Sequence, residues 1–243
     1  MADVTVELDG WTVFHKAMAS GVVRRPLLVG PPGVGKSKTS MLILEQAGLE
    51  TFQCTCNEDV LVQEWLGHWI VRGSNMVWND GPWVRALRGG ALIINELARA
   101  STSVKDACLA LLDDMETCRI ALPNGETVRP HSDFVCVSTS NDKPEECGMS
   151  AALVDRFDLI LNITHPHPAL IAKLDNEAAG LGQVIHASFN DPARAISPRR
   201  ALTFIRLLKA FSHDEAMTLA FGRRAADVSM AWKLQVTSSK GGK

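Results

Sequence analysis

The 243-residue chain has no tyrosine, no cysteine pair spaced C-x-x-C, and no excess of charge of either sign. Without such pairs, and with His68, His165 and His167 scattered rather than spaced as ligands, it offers no zinc site. The six cysteines (54, 56, 108, 118, 136 and 147) fall mostly in apolar patterns and read as reduced, packed thiols. No apolar run reaches the roughly 18 residues that a membrane span needs. A net charge of −2, with 21% charged residues, gives no global mark of a nucleic-acid or anionic-membrane binder. The first seven residues, Met-Ala-Asp-Val-Thr-Val-Glu, show neither a basic nor an apolar leader region, so a cytoplasmic protein is expected.

What is present is more specific. Gly30–Ser37 reads G-P-P-G-V-G-K-S and fits the phosphate-loop pattern G-x-x-x-x-G-K-[ST]. It follows the apolar run Leu27-Leu28-Val29 and precedes a helical stretch ending near Gly48, the strand–loop–helix setting that the motif requires. Glycines let successive backbone N–H groups point inward at phosphate oxygens, and the following helix starts with unpaired N–H groups. Lys36 is expected to reach the β- and γ-phosphates and the Ser37 hydroxyl to sit on Mg²⁺. The expected nucleotide-binding residues are Gly30, Pro31, Pro32, Gly33, Val34, Gly35, Lys36, Ser37 and Lys38, with ATP and Mg²⁺ as ligands.

Five apolar runs read as strands: Pro26–Gly30, Thr51–Cys56, Ala91–Asn95, Phe134–Ser140 and Asp158–Ile163. Several are continuous rather than alternating, as in a parallel sheet covered on both faces. Helical patterns lie between them; Val104, Ala107, Cys108, Leu111, Leu112 and Met115 make one apolar stripe. The alternation predicts an α/β domain. Two segments interrupt it and read as hairpins. One, from Trp65 to Trp83, turns at Gly73-Ser74-Asn75 and carries four of the six tryptophans. The other, 118–128, turns at Asn124-Gly125. His165-Pro166-His167-Pro168 marks a boundary, so residues 1–165 are expected to form the α/β domain and 166–236 an all-helical one. Ser197-Pro198 reads as a helix start, with Ser as N-cap and Pro at the first helical position. Residues 237–243 are expected to be a disordered tail.

The order of these features resembles an AAA+ ATPase. The phosphate loop comes first, then the strand Ala91-Leu92-Ile93-Ile94-Asn95-Glu96 of Walker B shape, then the 118–128 hairpin. Ser138-Thr139-Ser140-Asn141, Leu153-Val154-Asp155-Arg156-Phe157-Asp158 and Ser197-Pro198-Arg199 complete it. The run 81–100, G-P-W-V-R-A-L-R-G-G-A-L-I-I-N-E-L-A-R-A, is similar to the MoxR group, and the likeness extends from about Leu27 to Phe211. It implies an AAA+ P-loop domain with a five-stranded parallel sheet, followed by a small helical lid, and it places a helix-2 insertion at about 65–83.

The resemblance also implies roles for single residues. Glu96 would activate the attacking water, and Asn95, where the family has Asp, would steady Mg²⁺ through water without the usual charge. Ala98 departs from a common Asn. Asn141 would be sensor 1, with a turn Asn beside Asp142 as the plain alternative. Arg156 would be an arginine finger acting on a neighbouring subunit, or else a surface partner of Asp155 or Asp158. Arg199 would be sensor 2, with Arg200 competing and an exposed first-turn Arg as the plain alternative. A finger in trans implies a ring, of six, formed by heterologous contacts. The pairs Arg24-Arg25 and Arg223-Arg224 read as solvated faces or ring-interface charges.

The function these expectations favour is a ring-forming, ATP-driven remodelling chaperone or activator of a partner complex. Similar proteins work with a partner carrying a von Willebrand factor A domain. A nucleotide-gated scaffold, slow in hydrolysis because of Asn95, is the main alternative. A P-loop kinase and a DNA-dependent ATPase stand further off. The tryptophan-rich insert serves either as a client-contacting surface or as packing against the hairpin and the domain.

Overall fold

Three strands with no polar side until their last residues set the core. Strand β1 (Pro26–Val29) and the later strands β5 (Ala91–Asn95) and β8 (Val135–Ser140) are buried at every position. The flanking strands, β2 (Thr51–Thr55) and β9 (Leu159–Asn162), are only partly buried. The sheet order is β2-β5-β8-β1-β9, and every pairing is parallel. Continuous apolar runs therefore mark the central strands, covered on both faces, and mixed runs the edges. Four of the five strands are shorter by a residue at one end or both than the sequence suggests. Gly30, Cys56, Phe134, Asp158 and Ile163 bond to the backbone just beyond the regular ladder or turn away from it.

The computed structural model describes residues 9–240. They form two units, one of residues up to Pro31 together with Lys36–Ile163, the other of Pro32–Gly35 and the chain from Thr164 onward. The first unit begins with α1 (Gly10–Ser20), N-capped by Asp9. Helix α2 (Lys36–Gln46) follows the phosphate loop. Helix α3 (Val62–Leu66) leads into the antiparallel hairpin β3 (Gly67–Arg72) and β4 (Asn75–Asp80), and α4 (Pro82–Leu87) leads out of it. Helix α5 (Thr102–Leu111) is N-capped by Ser101, whose hydroxyl accepts from the Val104 N–H at 3.4 Å. Its buried residues Val104, Cys108 and Leu111 lie on the expected stripe, while Met115 falls beyond the helix end. The short β6 (Ile120–Ala121) and β7 (Thr127–Val128), and the single turn α6 (Ala151–Val154), complete the unit.

The β6–β7 hairpin closes differently from a two-residue Asn-Gly turn. Leu122 N–H donates to the Glu126 carbonyl at 2.8 Å, leaving Pro123-Asn124-Gly125 as a three-residue loop. Pro123 presets the first turn residue and Gly125, at φ +88°, takes the left-handed position. The four tryptophans of the insert divide. Trp65 and Trp83, on α3 and α4, are buried 5.3 Å apart in the core, whereas Trp69 and Trp78 pair edge-on across the hairpin and Trp69 is 48% exposed.

The second unit is helical throughout: α7 (Pro168–Glu177), α8 (Leu181–Ser188), α9 (Pro198–Leu207), α10 (His213–Phe221) and α11 (Ala225–Lys240). Leu174, Leu181, Ile185, Ala201, Phe204 and Ala220 form its centre. Each large apolar side chain buried this way contributes about 1.5–3 kcal/mol. Helix α11 runs into the segment expected to be a tail. Trp232 docks it, with Nε1 donating to the Ala179 carbonyl at 2.8 Å and the ring edge-on to Phe204, and the Thr237 hydroxyl bonds back to Lys233 and Leu234. Residues 241–243 lie outside the described residues, as do the first seven, on which the absence of a leader pattern was read.

Candidate nucleotide site

The phosphate loop leaves the buried end of β1 at a point where only glycine fits. A Cβ on Gly30 would run into the carbonyl oxygen of Ile163, because β9 continues alongside. Lys36 opens α2, yet its side chain turns back into the loop and is 8% exposed. Its Nζ donates to the Gly30 carbonyl at 2.6 Å, the Pro31 carbonyl at 3.0 Å and Asn141 Oδ1 at 3.0 Å. These three acceptors are neutral, and exchanging one for a charged phosphate oxygen would strengthen the bond. Ser37 is partly buried and Lys38 exposed at the helix start.

Within the second unit, the loop tip Pro32–Gly35 packs among the helical residues. Val34 is fully buried and its carbonyl accepts from the His167 N–H at 3.0 Å. Gly33 is at φ +86°, and a Cβ there would press on the Ser197 hydroxyl at 3.1 Å. Ser197 is the N-cap residue of α9 but makes no side-chain capping bond, so Pro198, which has no N–H to satisfy, secures that end instead. The next residues separate the two sensor 2 candidates. Arg200 donates to the Ala220 carbonyl at 3.3 Å and ties α9 to the end of α10. The exposed Arg199 guanidinium makes no such bond among the described residues. Arg224, read as a surface charge, is also tied inward: it donates to the Ala195 carbonyl at 2.8 Å and to that of Arg194.

In the first unit, β8 lies between β1 and β5, so the C-terminal ends of three adjacent parallel strands bring Gly30, Asn141 and the Asn95–Glu96 pair to one rim. Open α/β sheets bind ligands at this rim. Glu96 is the single non-glycine residue with positive φ among those described, at φ +57° and ψ +44°. Its N–H donates to Thr139 Oγ1 at 3.2 Å, and its carboxylate pairs with Arg99 Nη1 at 2.9 Å. A non-glycine residue held there stores backbone strain of about 1–3 kcal/mol, which the surrounding sheet must over-determine. Asn95 is 8% exposed; its Nδ2 donates to Gln53 Oε1 at 3.3 Å, and its buried Oδ1 has no hydrogen-bond partner among the described residues. An orphan acceptor beside the phosphate loop fits the outer coordination of a hydrated cation. Thr139 and Arg99 lie within the quoted motifs, but no motif marks their contacts with Glu96, nor Gln53 at all. Gln53 and Thr139 stand 42 and 43 residues along the chain from their partners, whereas Arg99, three residues beyond Glu96, could have been found from i,i+3 spacing.

Arg156 lies at the other end of the sheet. It precedes β9, whose Leu159 pairs with Pro26 at the start of β1, so the length of a strand, about 13 Å at 3.3 Å per residue, separates it from the loop of its own chain. Its partner is neither Asp155 nor Asp158 but Asp113, with Nε 3.3 Å from Oδ1. Asp158 is taken by Arg25: it accepts the N–H groups of Arg24 and Arg25, each at 2.8 Å, and pairs with the Arg25 guanidinium at 2.7 Å. Arg25 also reaches the Leu112 carbonyl and Asp114, and at 19% exposure its side chain is a structural tie rather than a solvated surface charge. Burial pushes the Asp158 carboxyl up, but the hydrogen bonds from Arg25 and from the two N–H groups outweigh it and hold it below its ordinary value.

The described residues contain no helix long and apolar enough to cross a membrane. The AAA domain model of the dynein-related subfamily matches residues 26–157. The chain is 30% identical over 198 residues to protein CbbQ of Hydrogenophilus thermoluteolus, covering 79% of this chain and 69% of that protein. It is 29% identical over 134 residues to protein NorQ of Paracoccus denitrificans, covering 55% and 48%. It is 28% identical over 130 residues to the denitrification regulatory protein NirQ of Pseudomonas aeruginosa, covering 53% and 49%. Against NorQ and NirQ the matched region spans about half of the relative's length. Among solved structures, NtrX from Brucella abortus in complex with ADP superposes with a TM-score of 0.53 at 15% identity, over 89% of this chain and 52% of that one. The complex of the same protein with ATP gives 0.51 at 14% identity, over 96% and 53%. At these identities the likeness is one of fold.

Proposed function

The chain belongs to the AAA domain family, dynein-related subfamily, and its relatives are of the MoxR type; from that premise we propose that it is a ring-forming ATPase that remodels or activates a partner protein complex. The observation that carries this reading is the division of the catalytic set between the two ends of one sheet. Lys36, Asn95, Glu96 and Asn141 share the C-terminal rim, while Arg156 stands beyond the opposite end. A finger that cannot reach its own phosphate loop is useful only to a neighbouring copy.

In this reading the loop and Lys36 bind the phosphates of ATP, and Asn141 contacts the γ-phosphate. Glu96 orients the attacking water and accepts its proton. Mg²⁺, held by Ser37 and through water by Asn95, would neutralise charge on the β- and γ-phosphates when bound. Arg199, from the lid, is assigned by resemblance as the residue that senses nucleotide. The ring has six copies and works in the cytoplasm. The β3–β4 hairpin puts Trp69, Val71 and Met76 on one face, with exposures of 48%, 73% and 66%, and supplies a client-contacting surface, with a von Willebrand factor A domain protein as the partner. NirQ is named a denitrification regulatory protein, in keeping with a client that is an enzyme complex.

Steady-state ATP hydrolysis per subunit, followed against protein concentration alongside particle size, tests the reading. Turnover should rise with concentration together with the appearance of a ring; a strictly monomeric, fully active enzyme would instead favour the kinase. A flat response to added DNA should accompany it.

Asn95 favours a second reading, the nucleotide-gated scaffold. Its amide lacks the charge of a carboxylate, and its Nδ2 end is engaged with Gln53, so a neutral Oδ1 alone is left for the cation. Asn95→Asp should raise turnover by about tenfold, the worth of roughly 1.4 kcal/mol, if the amide is what limits hydrolysis. An unchanged rate would show that the native site already works.

A further inference from the structure

We propose that Asp113 is a positioning residue for Arg156, fixing the guanidinium from its Nε side so that both Nη groups are offered to the nucleotide of a neighbouring copy; this rests on the shared-site reading above. The contact is long-range, joining the end of α5 to the turn before β9. Arg156 Nε is shielded from solvent and makes no hydrogen bond, so the 3.3 Å approach of Asp113 Oδ1 is its one ion-pair contact among the described residues. The guanidinium makes no second ion pair among the described residues, and the side chain as a whole is 37% exposed. One edge of the fork is therefore held and the other is left for a ligand.

The turn that carries Asp113 is itself anchored independently of Arg156. The Asp114 carbonyl next to it accepts from the Thr117 N–H at 2.9 Å, the Thr117 hydroxyl at 3.2 Å and the Cys118 N–H at 2.7 Å, and the Asp114 backbone, Thr117 and the charges of Arg156 and Arg25 hold the Asp113 carboxyl below the usual carboxylate range. The neighbouring Asp114 and Asp158 both pair with Arg25, which fastens the α5 end and the turn before β9 to the same strand start. The arginine thus projects from a frame braced on both sides. As a contribution to stability an ion pair this exposed is small. Its worth lies in orientation, since a misplaced transition-state donor loses most of its effect.

The test is complementation between copies. Asp113→Asn should lower turnover of the assembled protein by about a hundredfold with KM for ATP little changed, the size expected for displacing a catalytic group by an ångström. Lys36→Ala subunits cannot hydrolyse but carry an intact Asp113–Arg156 pair. Mixed with Asp113→Asn subunits they should restore turnover, as they should for Arg156→Ala subunits. The proposal is overturned if Asp113→Asn hydrolyses like the native protein, or if Lys36→Ala rescues Arg156→Ala but not Asp113→Asn. If it rescues neither, the shared-site reading falls and the positioning role with it. Asp113→Glu keeps the charge and moves it by one methylene, and serves if the Asn variant does not fold. Its turnover should fall by a smaller factor and be complemented in the same way, and native turnover in it would overturn the proposal.

Discussion

The two ends of the central sheet are built on opposite principles. At the C-terminal rim the polar groups are held by neutral partners, left without one, or strained: Lys36 is bonded to two carbonyls and an amide, Asn95 Oδ1 has no partner among the described residues, and Glu96 sits at positive φ. At the other end, Arg25 alone engages Asp158, Asp114 and the Leu112 carbonyl, and Asp158 in turn accepts two backbone N–H groups. One end keeps its electrostatics in reserve for a ligand; the other uses its own to fix geometry. Substitutions should separate along the same line, with rim changes felt in chemistry and changes at the far end felt in stability, except at Arg156, which is anchored at the stable end and, as the proposed finger, should act on chemistry.

That exception gives the largest expected effect. Arg156→Ala should reduce turnover of the assembled protein by about a thousandfold or more, in the range known for arginine fingers, while nucleotide binding measured with a fluorescent ATP analogue stays within about twofold, well under the 1.4 kcal/mol of a tenfold change. Lys36→Ala should instead abolish both, because the phosphate contact is lost in ground and transition states alike. If Arg156→Ala weakens binding as severely as Lys36→Ala, the two ends are not functionally distinct and the division of labour is wrong.

Much of the rim was legible in the sequence and little of the far end was. The phosphate loop is a contiguous run whose glycines and lysine carry their purpose in their spacing, and Asn95–Glu96 follows a strand that announces itself by apolar continuity. The 118–128 hairpin was visible from Asn124-Gly125, though not its three-residue closure, which depends on Pro123. The tryptophans of the insert were visible as a cluster, but their division between core and hairpin depends on whether each lies on a helix or a strand. Arg25 and Asp113 gave no such signal. Arg25 meets Asp158 across 133 residues and Asp114 across 89, and no local pattern in a single chain encodes pairings of that range. The same holds for Gln53 beneath Asn95 and for Thr139 beneath Glu96.

Next in size is a change at the far end. Arg25→Ala removes a guanidinium that is 19% exposed and leaves the Asp158 carboxylate, itself 21% exposed, without its cation. Breaking such a pair from one side costs about 3 kcal/mol, toward the lower limit for fully buried pairs because water still reaches part of this one. Urea unfolding should show the midpoint falling without a change in slope. A loss below about 0.5 kcal/mol, ordinary for a surface position, would mean that the network does not brace the sheet.

The smallest effect is one of pH. Asp158 titrates below its ordinary value in the folded chain, so the folded state holds fewer protons than the unfolded one as the carboxyl titrates. Its contribution to stability is therefore complete above the unfolded value near 3.9 and is lost as pH falls through the folded value. The comparison is between the native protein and Asp158→Asn, which keeps an acceptor for the backbone N–H groups but cannot carry the charge. At pH 6 the native protein should be the more stable by roughly 1–2 kcal/mol, the scale of charge-assisted hydrogen bonds partly retained by the amide. The gap should narrow steadily below about pH 4, as carboxylates titrate. A gap that is constant with pH would assign the stabilisation to shape rather than charge. A gap that widens toward acid would reverse the sign of the linkage and require a carboxyl whose folded value is raised.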